Sequence, residues 1–168
     1  MLNNNNNKQN GQGFFSNLIR QMPNLNKPGY SKLQARYPSP LPEEKKMSAQ
    51  KKLVIVNSRG LDDERSSVAW SIANTAVASD MDVTVFLVSA GVDWVRKGAA
   101  DVARLNPLDP TMSDMIGNFI ENGGRILVCP PCAKVRGYAE DSLIDGAIIA
   151  GAPVMLEEIQ QGAGAITF

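Results

Sequence analysis

The 168-residue chain contains two cysteines, Cys129 and Cys132, in the stretch 125–137, RILVCPPCAKVRG. Any sulfur chemistry of this chain is therefore confined to one short segment. Ile126, Leu127 and Val128 form an apolar run that stops at Cys129, two prolines precede Cys132, and a basic stretch closes on Arg136-Gly137. A buried strand that ends at a cysteine and turns into a helix presents the side chain at the carboxyl edge of a parallel sheet, where the helix directs unpaired N–H groups. Those groups and the helix dipole favour an anion, which for cysteine is the thiolate. Three chemistries fit this spacing. A thioredoxin-type dithiol uses Cys129 to attack and Cys132 to resolve. Half of a metal clip needs a second chain to complete it. A sulfur carrier holds a persulfide on Cys129 and keeps Cys132 as an accessory. The plain alternative is a pair of buried cysteines. The adjacent prolines argue against it, because they fix the backbone where the thiol emerges and withhold N–H groups.

Composition removes many other activities. The chain has no histidine, so a Ser-His-Asp or Cys-His pair and a His-containing zinc site are impossible within it. A four-cysteine zinc site needs two chains, and no metal is expected. No G-x-G-x-x-G follows the first apolar run and no Walker A loop occurs, which speaks against a nucleotide site. The net charge is zero, but residues 1–42 hold five of the 17 basic side chains and none of the 17 acidic ones. The remainder, with 12 basic against 17 acidic residues, is an acidic body and not a nucleic-acid binder. No apolar run approaches the roughly 18 residues of a membrane span, and no secretory h-region is read before a small-residue cleavage site. Two cysteines as CxxC do not make a secreted disulfide framework, so a reducing, cytoplasmic setting is expected.

The elements that must position the cysteines follow from periodicity. Residues 1–48 read as a disordered leader: Asn3 to Asn7 is a homopolymer, and five prolines follow before residue 43. Phe14, Phe15, Leu18, Ile19 and Met22 interrupt it at helical spacing, as a transient helix, a docking or membrane-surface helix, or part of an organelle address. The folded domain is expected over 49–168. Residues 52–57, 83–88 and 126–129 are strand-like runs, and 165–168 forms a terminal strand. A first helix to about Ala78 is expected to bury Val68, Ile72 and Ala76. Residues 93–105 read as a broken helix. A firmer helix carries Met112, Met115, Ile116, Phe119 and Ile120 on one face, capped by Thr111 and closed by Gly123-Gly124. Residues 142–149 begin as helix and end as strand, and Pro153 opens a last helix through Gln160.

This alternation gives an α/β domain with a parallel sheet. Right-handed crossovers bring the exits after Asn57, Ser89 and Cys129 to one edge. Asn57, Ser58, Ser89, Lys134, Arg136 and Gly137 are accordingly the candidates to stabilise a substrate or thiolate at Cys129. The Pro130-Pro131 backbone is expected to hold Cys132 away from attack on Cys129. The apolar content of 112–120 and 146–155 exceeds what one thin sheet domain covers, which predicts self-association.

A KLVIVNS first strand, VCPPCAKVRGY, a GAIIAGAP segment and a terminal ITF strand together resemble the DsrE/DsrF-like family, which includes sulfur-relay subunits related to TusD. The resemblance spans residues 51–168. Cys129 matches the family's sulfur-accepting cysteine, and Arg136-Gly137 the downstream Arg-Gly. It implies a flavodoxin-like α/β subunit with helices on both faces, assembly into homotrimers or hexamers, and persulfide transfer between donor and acceptor proteins without a metal or organic cofactor. A CxxC thiol-disulfide oxidoreductase and a non-catalytic regulatory or scaffold subunit of the same fold remain as alternatives.

Overall fold

Each strand-like run of the sequence is a strand in the computed structural model, which describes residues 51–168. The expected leader, with its Phe14 to Met22 island, lies outside the described residues. Strand β1 (Lys52–Asn57) leads into helix α1 (Arg65–Ala78), then β2 (Asp82–Leu87). Two 3-10 segments, Ser89–Val95 and Ala100–Val102, replace the expected broken helix. Helix α2 (Met112–Glu121), β3 (Arg125–Val128) and the short α3 (Pro130–Val135) follow. A 3-10 turn (Glu140–Ser142), β4 (Ala147–Ile149), α4 (Ala152–Gln160) and β5 (Gly164–Thr167) complete the unit.

All pairings are parallel, in the order β4-β3-β2-β1-β5. The chain thus steps one way from β1 to β4 and then returns across the sheet to β5. Right-handed crossovers place the helices of the outward steps on one face and α4 on the other. The layers are those of a flavodoxin-like domain, with a single reversal at β4 to β5. Along each strand the side chains alternate between faces. Ile55, Val85 and Ile126 stand in register and fully buried beneath α1 and α2. Trp70 of α1 meets Phe119 of α2 edge-to-face, with ring centroids 5.7 Å apart.

Helix α1 corrects the sequence expectation. Val68 and Ile72 are 47% and 36% exposed, whereas Ala69, Trp70, Ala73, Asn74 and Ala76 are buried. Trp70 offers the largest apolar surface on the helix, and the small Ala69 and Ala73 let it approach the sheet. Truncating such a residue costs about 3–5 kcal/mol. The polar residues on the buried side are hydrogen-bonded: Asn74 Nδ2 donates to the Met115 carbonyl at 3.0 Å, and Ser66 Oγ accepts from Trp94 Nε1 at 2.9 Å. Val68 and Ile72 instead line an open cleft of about 550 Å³ with Leu53 and Met81.

The expected face of α2 is the buried one: Met112, Met115, Ile116 and Phe119 all point into the core. This removes half of the argument for self-association, since that apolar content is used internally. Thr111 Oγ1 accepts from the Asp114 N–H at 3.1 Å, the cap that the sequence predicts. Among the described residues no helix is long and apolar enough to cross a membrane.

Candidate functional site

The sheet's reversal of direction creates the site. Strand β3 leaves toward α3 on the same face as α1 and α2, with Ala133 buried in their core. Strand β4 leaves toward α4 on the opposite face. Adjacent strands whose exits diverge leave a crevice outside their carboxyl ends. Cys129 stands directly after β3, while Ala150 follows β4 and donates its N–H to the Val128 carbonyl at 3.0 Å. Cys129 is fixed from the backbone side as well. Its N–H donates to the Leu87 carbonyl and its own carbonyl accepts from Ala133, both at 3.0 Å.

Cys129 is the N-cap of α3, Pro130 and Pro131 fill the first two helical positions, and Cys132 takes the third. Proline suits the opening turn because the N–H it lacks has no intrahelical partner there. The first amide of the helix therefore belongs to Cys132. At an N-cap, the side chain lies over this third amide. Both cysteines are free and half-buried, and the Cys132 amide and thiol lie near enough to the Cys129 sulfur to influence its charge, although the Cys129 side chain makes no capping hydrogen bond. The two thiols stand one helical turn apart at the start of α3, and the Cys132 thiol acts on the Cys129 sulfur across the two prolines.

Burial pushes the Cys129 thiol above its ordinary value, and the hydrogen bond with the Cys132 thiol adds to this. The Cys132 amide pulls the other way without overcoming it. A short helix that opens with two prolines offers the sulfur one amide in place of several.

The remaining candidates divide. Ser89 belongs to the site: its N–H donates to Cys132 Sγ at 3.1 Å. Lys134 is exposed in the last turn of α3, and Arg136 is its C-cap, so both stand at the end of the helix away from Cys129. Arg136 Nε pairs with Asp93 at 3.2 Å, and its Nη1 donates to the Cys132 carbonyl at 3.2 Å. Gly137, at φ +72°, ends α3 in the left-handed conformation that glycine adopts without a Cβ penalty. The Arg-Gly pair therefore ties and stops the helix. Asn57 is fully buried, with Oδ1 accepting from the Arg59 N–H at 2.9 Å. Ser58 Oγ donates to the Phe168 carbonyl at 2.7 Å. These two residues shape the first turn and make no contact with either cysteine among the described hydrogen bonds.

Sequence reasoning missed Asp93 and Tyr138. Asp93 accepts from the Tyr138 hydroxyl at 2.9 Å as well as pairing with Arg136, so one carboxylate anchors the α3 segment to the turn after β2. Burial, then this hydrogen bond, raises the Tyr138 hydroxyl above its usual range. Tyr138 directly follows Arg136-Gly137, but a lone aspartate in a turn gives no signal in one sequence. Gly91 in the same turn is also required: a Cβ there would sit 2.2 Å from the Asn57 carbonyl oxygen.

The chain shares 31% identity over 116 residues with the uncharacterized MJ0989 protein of Methanocaldococcus jannaschii, covering 68% of this chain and 96% of that one. A second protein of that organism, MJ0760, is 30% identical over 110 residues, or 65% of this chain; the match spans 40% of MJ0760. Among solved structures, the ychN protein of E. coli superposes with a TM-score of 0.58 at 22% identity, over 71% of this chain and all of that one. MTH1491 of Methanobacterium thermoautotrophicum gives a TM-score of 0.56 at 18% identity, over 71% of this chain and all of MTH1491. Residues 50–168 match the model of the DsrE/DsrF-like family, and the chain belongs to that family.

Proposed function

We propose that this chain is a sulfur carrier that accepts sulfane sulfur on Cys129 as a persulfide and passes it to an acceptor thiol. The observation that supports it most directly is the placement of a free, half-buried Cys129 at the carboxyl end of β3, in a member of the DsrE/DsrF-like family. In the loading step the Cys129 thiolate attacks the terminal sulfur of a donor persulfide, and the donor leaves as its thiolate. In the delivery step an acceptor thiolate attacks the outer sulfur, and Cys129 leaves as the thiolate. Because the thiol is held up, each loading event draws on a minor thiolate fraction at neutral pH.

The reaction uses sulfur covalently bound to cysteine and requires no metal or organic cofactor. Donor and acceptor proteins are its partners, copies of the chain associate with one another, and a reducing cytoplasmic setting keeps the thiols free. The test is intact-mass analysis after incubation with inorganic polysulfide. The wild-type chain gains one sulfur atom on Cys129, located by peptide mapping, and Cys129→Ser gains none there. Absence of added sulfur at Cys129 in both wild type and Cys132→Ser overturns the assignment.

A further inference from the structure

The carrier reading uses one cysteine, yet the fold builds a place for the second. Cys132 Sγ accepts the Ser89 N–H at 3.1 Å, from a residue 43 positions away and on a different strand exit. Ser89 reaches that position in a left-handed conformation, φ +51°, which is uncommon for a residue with a Cβ. The turn is further shaped by Gly91, whose place no side chain could take. The amide fixes where the Cys132 sulfur sits, at the exit of β2 and the start of α3. The two cysteines occupy the N-cap and third positions of α3, so their sulfurs lie on the same side of the helix start. Ser89 is exposed and Cys132 half-buried, so solvent and small thiols reach the pair.

We propose that Cys132, held by the Ser89 amide, is a second reacting thiol that discharges an undelivered persulfide from Cys129 as sulfide. This rests on the carrier reading. The Cys132 thiolate attacks Cys129 Sγ, forming the Cys129–Cys132 disulfide bond. The bond between Cys129 Sγ and the outer sulfur breaks, and that sulfur leaves with the electron pair as hydrosulfide. The outer sulfane sulfur is reduced by two electrons, and the two cysteine sulfurs are oxidised by two. A dithiol reductant, or two equivalents of a monothiol, returns the pair to the free thiols and restores the carrier. Delivery and discharge then compete. An acceptor that docks quickly takes the sulfur, and a loaded chain without an acceptor empties itself and rests as a disulfide.

The test loads the full chain with inorganic polysulfide, removes the donor, and follows intact mass and released sulfide without an acceptor. Wild type loses its added sulfur and releases one sulfide per chain, ending two hydrogens lighter than the reduced protein. In Cys132→Ser the adduct on Cys129 decays at least tenfold more slowly, with no matching disulfide. Dithiol reductant returns discharged wild type to its starting mass and permits a second loading. A wild-type adduct that persists as long as that of Cys132→Ser overturns this inference and leaves the carrier reading standing. Absence of any adduct on Cys129 in both proteins overturns both.

Discussion

The backbone N–H of Ser89 and the sulfur of Cys132 meet at 3.1 Å, linking the exit of β2 to the start of α3. Ser89 is one of two non-glycine described residues at positive φ, the other being Asp80. Strained backbone at a candidate site points to a constraint imposed by the surrounding structure. Here that constraint is the crowded turn in which the Gly91 position approaches the Asn57 carbonyl.

Ser89→Gly keeps the N–H and removes the left-handed penalty. It should leave stability within about 1 kcal/mol of wild type and preserve discharge of the Cys129 persulfide. Ser89→Val keeps the N–H but adds a β-branched side chain at φ +51°, and should lose about 1–2 kcal/mol. Thermal unfolding measures both. Equal stability of the two variants would show that the turn relaxes at no cost.

The pH dependence of Cys129 follows from its raised thiol, in which burial comes first and the Cys132 thiol second. Alkylation of Cys129, resolved by peptide mass, should rise nearly tenfold per pH unit between pH 7 and 8 and reach no plateau by about pH 8.5, the ordinary thiol value. The linkage has a definite sign. A folded-state value above the unfolded one favours the protonated form in the fold. This contribution to stability is present below about pH 8.5 and is lost as pH rises through the folded value. A labelling rate already flat at pH 7 would contradict the burial argument.

Asp93 carries both Arg136 and Tyr138, so its loss should free the C-terminal end of α3. Asp93→Ala leaves two half-buried donors unmatched and should cost about 1–3 kcal/mol. Tyr138→Phe removes one donor and should cost about 0.5–1.5 kcal/mol. A double-mutant cycle by urea unfolding should show a coupling of at least 0.5 kcal/mol. Additive effects would mean that the two side chains act independently.

The strands and α2 were legible because their patterns are local. Alternation fixes which face of Ile55, Val85 and Ile126 is buried, and a 3.6-residue period fixes the Met112 to Phe119 stripe. The α1 face was not legible, because two stripes compete there. Val68 and Ile72 form an apolar stripe of their own, yet Trp70 with its small neighbours buries more surface and wins. Cys129 at the strand end follows from the end of an apolar run. The Ser89 contact, the Asp93 anchor and the turning of Arg136 away from Cys129 depend on pairings 40 or more residues apart, or on the end of a six-residue helix. Periodicity carries no information about either.

Self-association should use the face that α4 shares with the sheet. Helix α4 lies over β1, and its buried Glu158 pairs with Arg125 at 3.2 Å. One nine-residue helix cannot cover a five-stranded sheet, and β4 lies at the far edge. Ile148 of β4 remains 57% exposed, with Val154 and Leu156 of α4 at 44% and 49%. At about 25 cal/mol per Å² of apolar surface, removing such side chains from water favours association. Assembly through this face would bring further copies of the chain to the exit of β4, the edge strand beside β3. Light scattering on the full chain should give several times the mass of one chain, and Ile148→Lys with Leu156→Lys should reduce it toward one. Circular dichroism should show the double variant still folded, because both side chains are already exposed in a single chain. A wild-type mass equal to one chain at every concentration would mean that these residues stay in water.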